Sequence, residues 1–357
     1  MPDRGEQPTS SVALVGYGMS AGRLHAPLLR SVPGLEIGAV VARSPERRAQ
    51  AAKELPGARI VAAVEELAGL PRVPDIAIVT TPDSTHFDVT SAVLAAGIGA
   101  VVEKPLAPSF AEARILAEEA QRRGLMLTGF LNRRWDSDFL TLRQVLGSGR
   151  LGSITRFESS LTRWVTGPAF GWRGEPIPHG IDGTVGGFGS HLVDQAVTLF
   201  GPVSSVYAEI DTRRASSHVN DDVFLALEHA GGVRSHLTMG MVRTTEGPRF
   251  RLQGLAGSFE KRGFDRQQSN LVSGGGPADE DYGVEPEEDR GTELIDGVPT
   301  RVPTLRGDWR RFYVLLEDSL RTGAPLPISL DDVLHGIAVL EAAIASSTER
   351  QVKTLDR

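Results

Sequence analysis

Between Ser11 and Phe130, six short apolar runs alternate with helix-patterned segments. VALVGYG, IGAVVA, RIVAA, DIAIVTTP, GAVVEKP and LMLTGF are the candidate strands. RLHAPLLRS, PERRAQAAKEL, VEELAGL, FDVTSAVLAAG and AEARILAEEAQRRG repeat apolar residues at i, i+3 and i+4. Near-continuous Val/Ile/Ala strands separated by helices cannot keep one face in water, so they imply a parallel sheet covered on both sides. Residues 11–130 are therefore expected to form a doubly wound α/β domain. Pro45 directly after Ser44 supports a helix start there, with serine as cap and proline in the first turn.

After a helical bridge, DFLTLRQVLGSGRLG, the texture changes. ITRFESSLTRW, VSSVYAEIDTRR, VFLALEH and VRSHLTMGMVR alternate with a period of two, and Ala230-Gly231-Gly232 joins the last two as a hairpin. Residues 131–357 are expected to be an α+β domain with a large, mostly antiparallel sheet. One face of that sheet is free, and such a face commonly becomes a subunit interface. Two amphipathic helices, WRRFYVLLEDSLRTG and SLDDVLHGIAVLEAAIASS, close the chain. Residues 273–291 carry seven acids and no apolar run, and read as a solvated loop.

At 357 residues two domains are expected. With 45 acidic against 38 basic side chains there is no clustered positive surface of the kind nucleic acid or an anionic membrane requires. No run approaches the ~20 apolar residues of a membrane span. The polar start MPDRGEQPTSS lacks a signal-peptide core, so a cytoplasmic location is expected. Cysteine is absent, which removes disulfides, thiolate nucleophiles and thiolate-bound metals. No His/Asp/Glu spacing suggests a metal site.

Gly16-Tyr17-Gly18-Met19-Ser20-Ala21 is a G-x-G-x-x-A fingerprint between an apolar strand and a helix. Gly16 permits the tight turn, Gly18 lets backbone approach a pyrophosphate, and Ala21 allows close helix packing. A dinucleotide site would use these with Tyr17. NAD sites place an acid roughly 20 residues on, at the end of the second strand. Glu36 has that count but precedes the strand. Arg43, Ser44 and Arg47 follow the strand instead, with Arg48 beside them, and suit a 2′-phosphate. NADP is favoured over NAD. Thr80, Thr81, Pro82 and His86 follow the fourth strand, at the sheet edge where such ligands sit. His86 is either a helix cap or part of the cofactor lining.

Glu103-Lys104-Pro105 ends the fifth strand, and Pro105 restricts Lys104 to extended geometry. An ammonium there can polarise a carbonyl or stabilise an alkoxide. His191 stands where the glycine-rich GTVGGFGS runs into an amphipathic helix, and its unperturbed pKa of about 6.5 suits proton exchange. Asp194, one turn later, could orient the imidazole or sit on a helix face.

The order GxGxxA, TTPxxxH, EKP and GSHxxDQ resembles the glucose–fructose oxidoreductase / inositol dehydrogenase (Gfo/Idh/MocA) family over nearly the whole chain. GYGMSAGRLHAPLL, FLNRRWDSDFLTL and GSHLVDQAVTLFG look most like its NADP-dependent scyllo-inositol dehydrogenases. The resemblance implies a Rossmann domain, a C-terminal sheet that forms a homodimer or homotetramer, and hydride transfer between NAD(P) and a polyol or sugar carbon. Carried over by position, Lys104 is the EKP lysine and also lies at the cofactor with Glu103, and His191 is the acid/base. Asn132, Arg134 and Trp135 would lie near cofactor and substrate, and Trp172-Arg173 on a loop closing over the substrate. The family usually has an aspartate four residues before the histidine, but here that position is Gly187. Asp182 could substitute if the loop folds back. The missing carboxylate leaves open a nucleotide-binding sensor with little turnover, or an enzyme that uses its cofactor transiently.

Overall fold

The structure, a computed structural model, describes residues 9–167, 174–245 and 247–355. The first sheet contains β1 (Ser10–Val15), β2 (Leu35–Val41), β3 (Arg59–Val61), β4 (Ile76–Val79), β5 (Gly99–Val102) and β6 (Leu127–Gly129). Its order is β3-β2-β1-β4-β5-β6 with every neighbouring pair parallel. Because β4 and β5 bury every residue, only unbroken apolar runs satisfy them. Strand order reverses between β1 and β4, which opens a crevice beyond their carboxyl ends. Ser44 caps the helix Pro45–Glu54 by accepting from the Arg47 N–H at 3.2 Å, as its position before proline predicts. VEELAGL winds only a short 3-10 segment, Val64–Gly69.

The second sheet has nine strands. β7 (Ile154–Thr162), β8 (Val203–Asp211), β9 (Asp222–His229) and β10 (Arg234–Gly240) are the four expected from alternation. β11 (Phe250–Gly254), β12 (Gly257–Lys261), β13 (Gly291–Ile295), β14 (Val298–Val302) and β15 (Lys353–Thr354) complete it. The order is β14-β13-β12-β11-β7-β10-β9-β8-β15, antiparallel except for β7 beside β10. The β13–β14 hairpin turns on Asp296 and Gly297, both at positive φ (51° and 77°). An Asp-Gly pair is the signature of that turn.

Register sorts the two faces. Val206, Leu227, Ser235, Phe157, Leu252 and Phe259 lie across one row, all buried. The next row over, Tyr207, Ala226, His236, Glu158, Arg251 and Glu260, faces outward, where Arg251 pairs with both Glu158 and Glu260 at 2.9 Å. Helices Ser190–Phe200 and Leu330–Glu349 pack on the inner face. Helix Arg310–Thr322 returns to the first half and packs on β1 and on the helix after the glycine motif. Among the described residues no helix is long and apolar enough to cross a membrane.

The acidic stretch 273–291 departs from the solvated loop expected of it. Tyr282 is buried, and the Glu285 carboxylate is sealed in the core against the Lys261 ammonium and the Ser137 hydroxyl. Lys261 also donates to the carbonyls of Arg262 and Asp289, at 2.9 and 2.8 Å. Burial raises the Glu285 carboxyl, as does nearby Asp138, and Lys261 opposes both. Removing one member of a buried pair leaves an uncompensated charge, which typically costs about 3–5 kcal/mol. Lys261→Met should therefore lower stability by about that amount in urea denaturation, and Lys261→Met/Glu285→Leu should recover most of it. A single variant as stable as the parent would show that the pair anchors nothing.

Candidate functional site

The glycine motif is held by backbone. Gly16 N–H donates to the Val41 carbonyl at 2.9 Å, and the Thr80 hydroxyl donates to the Gly16 carbonyl at 3.1 Å. Gly16 sits at φ +92°, and a Cβ there would lie 3.1–3.2 Å from Thr80. Only glycine fits that turn without strain. At Gly18 a Cβ would meet nothing within 4 Å, so the backbone faces open space. The helical segment beginning at Ser20 has no side-chain cap and no acid in its first turn, so its leading N–H groups stay available to an anion. Ala21 is fully buried against the sheet. This cradle fits the phosphates of a dinucleotide.

Tyr17 does not serve the cradle with its side chain. It is buried, its phenol donating to Glu54 at 2.8 Å, and burial with that carboxylate raises its pKa. Glu36 starts β2 and pairs with exposed Arg72 at 2.9 Å, away from the strand end. Beyond Val41, Arg43 is exposed and its guanidinium has no polar partner among the described residues, so it is open to a ligand. Ser44 is committed as a helix cap. Arg47 reaches Gln50 at 2.8 Å, and Arg48 bonds the carbonyls of Ala42 and Arg43. Thr80 braces the glycine turn, and Thr81 accepts from the Thr85 hydroxyl at 2.9 Å. Pro82 leads into a short turn, Asp83–Thr85. His86 is wholly buried, Nδ1 2.6 Å from the Pro105 carbonyl and Nε2 3.0 Å from the Thr81 carbonyl. It is a brace between two strand ends rather than part of the cofactor lining.

At the end of β5, Glu103 accepts from Ser20 Oγ at 2.6 Å and from His25 Nε2 at 3.0 Å. Burial works to raise this carboxyl, but His25, Lys104 and Ser20 outweigh it and hold it ionised, well below the ordinary range. Lys104 is half-buried, and its ammonium has no ion pair among the described residues. The Lys104–Pro105 peptide is cis.

His191 does not begin its helix. GTVGGFGS is already wound, as a π-helical segment Val185–Gly189 continuous with Ser190–Phe200. The imidazole is buried, and Nδ1 is sealed off without a hydrogen-bond partner, leaving Nε2 as the nitrogen open to a ligand. Burial, then the charges of Arg133 and Lys104, push its pKa well below 6.5. Glu103 opposes them. His191 is thus a neutral base at neutral pH, close enough to Lys104 to feel its charge.

Asp194 does not orient His191. Its carboxylate is gripped by Arg134, Nε and Nη2 at 3.0 and 2.6 Å, and Arg134 also reaches Asp332 at 3.0 Å. These two residues clamp the 3-10 turn Asn132–Trp135 to helices of the second half rather than presenting free groups to a substrate. Asn132 is buried with no side-chain bond among the described residues, so its amide is available. The Trp135 ring packs edge-on to Phe312, centroids 5.9 Å apart. Asp182 folds back, but onto its own loop and the chain that leads into β9. Its oxygens accept from Ile177 N–H and Asn220 Nδ2 at 3.0 and 2.9 Å. A Cβ at Gly187 would meet nothing within 4 Å, whereas one at Gly186 or Gly189 would crowd Ile181 or Leu340 at 3.1 or 3.0 Å. Trp172 and Arg173 lie outside the described residues.

Several residues escaped the motif reading. Arg249, buried, joins Asp138, Ser159 and Gln195 at 3.1, 2.7 and 2.9 Å beneath the site, and both it and Arg133 depress His191. His25 meets Glu103 from the segment after the glycine motif, and Tyr313 meets His25 from helix Arg310–Thr322. The one available signal was polar residues on otherwise apolar faces, RLHAPLL and RRFYVLL. Among the described residues no group of three or more His, Asp or Glu side chains could hold a metal.

A phosphate cradle at the switch point of a parallel sheet, with a lysine and a neutral histidine beside it, defines a nicotinamide-dependent dehydrogenase acting on CH–OH groups. The chain belongs to the Gfo/Idh/MocA oxidoreductase family: the family's NAD-binding Rossmann fold matches residues 10–130, and its C-terminal alpha/beta domain matches residues 143–355. It is 30% identical to scyllo-inositol 2-dehydrogenase (NADP(+)) IolW of Bacillus subtilis, covering 98% of this chain and 96% of that one. An uncharacterised oxidoreductase of Schizosaccharomyces pombe is 34% identical over 95% of this chain and 98% of its own length. Among solved structures, the oxidoreductase yvaA of Bacillus subtilis superposes with a TM-score of 0.92 at 30% identity, covering 99% of this chain and all of that one.

The Tyr17 geometry makes a specific forecast. Tyr17→Phe should leave nucleotide affinity within about twofold and cost about 1 kcal/mol of stability, the net worth of one hydrogen bond. Titration by NADPH fluorescence alongside thermal melting checks it; a large affinity loss would return the phenol to the cofactor.

Proposed function

We propose that the protein interconverts a cyclic polyol or sugar and its keto form with NADP(H), His191 exchanging the hydroxyl proton and Lys104 stabilising the developing alkoxide. What supports this reading is Lys104 at the strand edge beside the phosphate cradle, together with a buried His191 near enough for the lysine's charge to help lower its pKa. A bound nicotinamide would supply the hydride acceptor or donor. Gly16, Gly18 and the uncapped helix start would hold the pyrophosphate. Exposed Arg43, its guanidinium free of other partners, supports a 2′-phosphate and hence NADP, as does the cofactor in the Bacillus relative's name. Asn132 offers its amide to a substrate hydroxyl. The outward row of the nine-stranded sheet, with Tyr207 exposed and Phe224 half-buried, supports a homodimer or homotetramer built on that face.

Reduction of NADP, followed by absorbance against scyllo-inositol, myo-inositol and glucose, tests the reading. Lys104→Ala and His191→Asn should each lower kcat by about 10²–10⁴ while the fold persists. Because His191 must be neutral to accept the proton and its pKa lies below 6.5, kcat/KM for oxidation should hold as pH falls through 6.5 and decline only below it. Bound NADPH with no net reduction on any of the panel would favour transient cofactor use.

Gly187 has room for the side chain that its relatives' pattern supplies. Gly187→Asp should raise His191's proton affinity and increase turnover on neutral polyols severalfold. Equal or lower kcat/KM across the same panel would show that the open space serves a different substrate group.

A further inference from the structure

Lys104 is gripped from both sides by histidines that take no part in the chemistry above. His86 holds the carbonyl of Pro105, and His25 holds the carboxylate of Glu103. The His25 side is the more elaborate. His25 lies wholly buried on the segment Ser20–His25 that follows the glycine motif, its ring 4.5 Å from that of Phe130. Its Nδ1 meets the hydroxyl of Tyr313, which arrives from helix Arg310–Thr322 in the second half of the chain. Burial and the Glu103 charge keep the Tyr313 phenol protonated, and the two ring nitrogens of His25 join that hydroxyl to the Glu103 carboxylate. On the same carboxylate oxygen Ser20 donates from the first turn of the nucleotide helix, and the second oxygen accepts from the Lys104 N–H at 3.3 Å.

We propose that Tyr313, His25 and Glu103 form a positioning relay that fixes the start of the nucleotide-binding helix and the Lys104 backbone in one arrangement, so that cofactor seating and alignment of the reacting lysine are coupled. His25 and Tyr313 act through Glu103 and touch neither substrate nor nicotinamide. The relay rests on the functional reading above for the role of Lys104. Its members come from three elements remote in sequence, and Tyr313 lies outside every segment that carries the nucleotide site. Tyr313→Phe keeps the ring against Phe130 and Phe312 and removes only the hydroxyl that meets His25, so its effect on nucleotide affinity reads that bond.

The test uses the full chain with Tyr313→Phe, His25→Leu and His25→Gln. Each is measured for melting temperature, NADPH affinity by fluorescence titration, and kcat and KM on whichever polyol the parent oxidises. Charge-assisted bonds of this kind are worth on the order of tenfold in an equilibrium. Tyr313→Phe should weaken NADPH binding by about that factor and lower kcat while leaving polyol KM unchanged. His25→Leu should do the same more strongly, and His25→Gln should recover part of both losses because its amide N–H can reach Glu103. Folded variants that bind NADPH like the parent would overturn the relay and leave the dehydrogenase reading intact. Should His25→Leu fail to fold, Tyr313→Phe decides alone. A parent protein that binds no NADPH would overturn the functional reading, and the relay with it.

Discussion

Everything chemical in this protein depends on six strands pointing the same way. Parallel pairing brings the carboxyl ends of β1, β4 and β5 to one edge, so that Gly16, Thr80 and Glu103-Lys104, distant in sequence, emerge side by side. The alignment is physical before it is chemical. The Thr80 N–H closes on the Val15 carbonyl and the Glu103 N–H on the Val79 carbonyl, at 2.8 and 2.9 Å, which extends the ladder one step past each strand and delivers the functional residue at a set height. Burial of β4 and β5 on both faces leaves the sheet no alternative register, since a slip would expose an apolar run.

The second half must then present His191 to that edge without disturbing it. Its means are polar and buried. Arg134 spans Asp194 and Asp332, and Arg249 collects Asp138, Ser159 and Gln195 while lying 4.0 Å over the Phe250 ring. Such networks add little net stability over well-packed apolar groups, but they tolerate few arrangements. Here they also tune the base. Burial acts first, and Arg133, Lys104 and Arg249 add positive charge in the same direction, so the imidazole stays neutral although the Glu103 charge opposes them.

The legible part of the fold was the part encoded by period. The alternating βα texture predicted all six parallel strands and their topology class, and the even alternation of β7 to β10 predicted the start of the large sheet. β11 to β14 were missed because each is five residues long and lies near chain with no apolar run, and Pro299 interrupts the last. For the site, the glycine turn and the placement of Lys104 were readable because backbone conformation or a strand end demands them, whereas the helix expected to begin at His191 starts earlier. Partners were not. Whether Asp194 faces His191 or Arg134, and whether Glu285 meets water or Lys261, is decided by residues more than twenty positions away. Sequence spacing carries no information about such pairs until the fold supplies it.

The run Gly186-Gly187-Phe188-Gly189 shows how one local feature can have two causes. Gly186 and Gly189 answer to packing, because a Cβ would lie 3.1 Å from the Ile181 carbonyl oxygen and 3.0 Å from the Leu340 side chain, tighter than such contacts ordinarily are. Those contacts hold the segment wound upstream of His191, and Ser190 ties back to the Gly186 carbonyl at 2.8 Å. Gly187 answers to no such demand. Its neighbourhood is empty, one helical turn before the base, so glycine there is a property of the site and not of the fold. Glycine at that point leaves the space beside it open. The carboxylate that feels the Lys104 charge is Glu103, and His25 and Ser20 hold it in place. On the function proposed above, charge balance at Lys104 then rests on the nucleotide-binding helix.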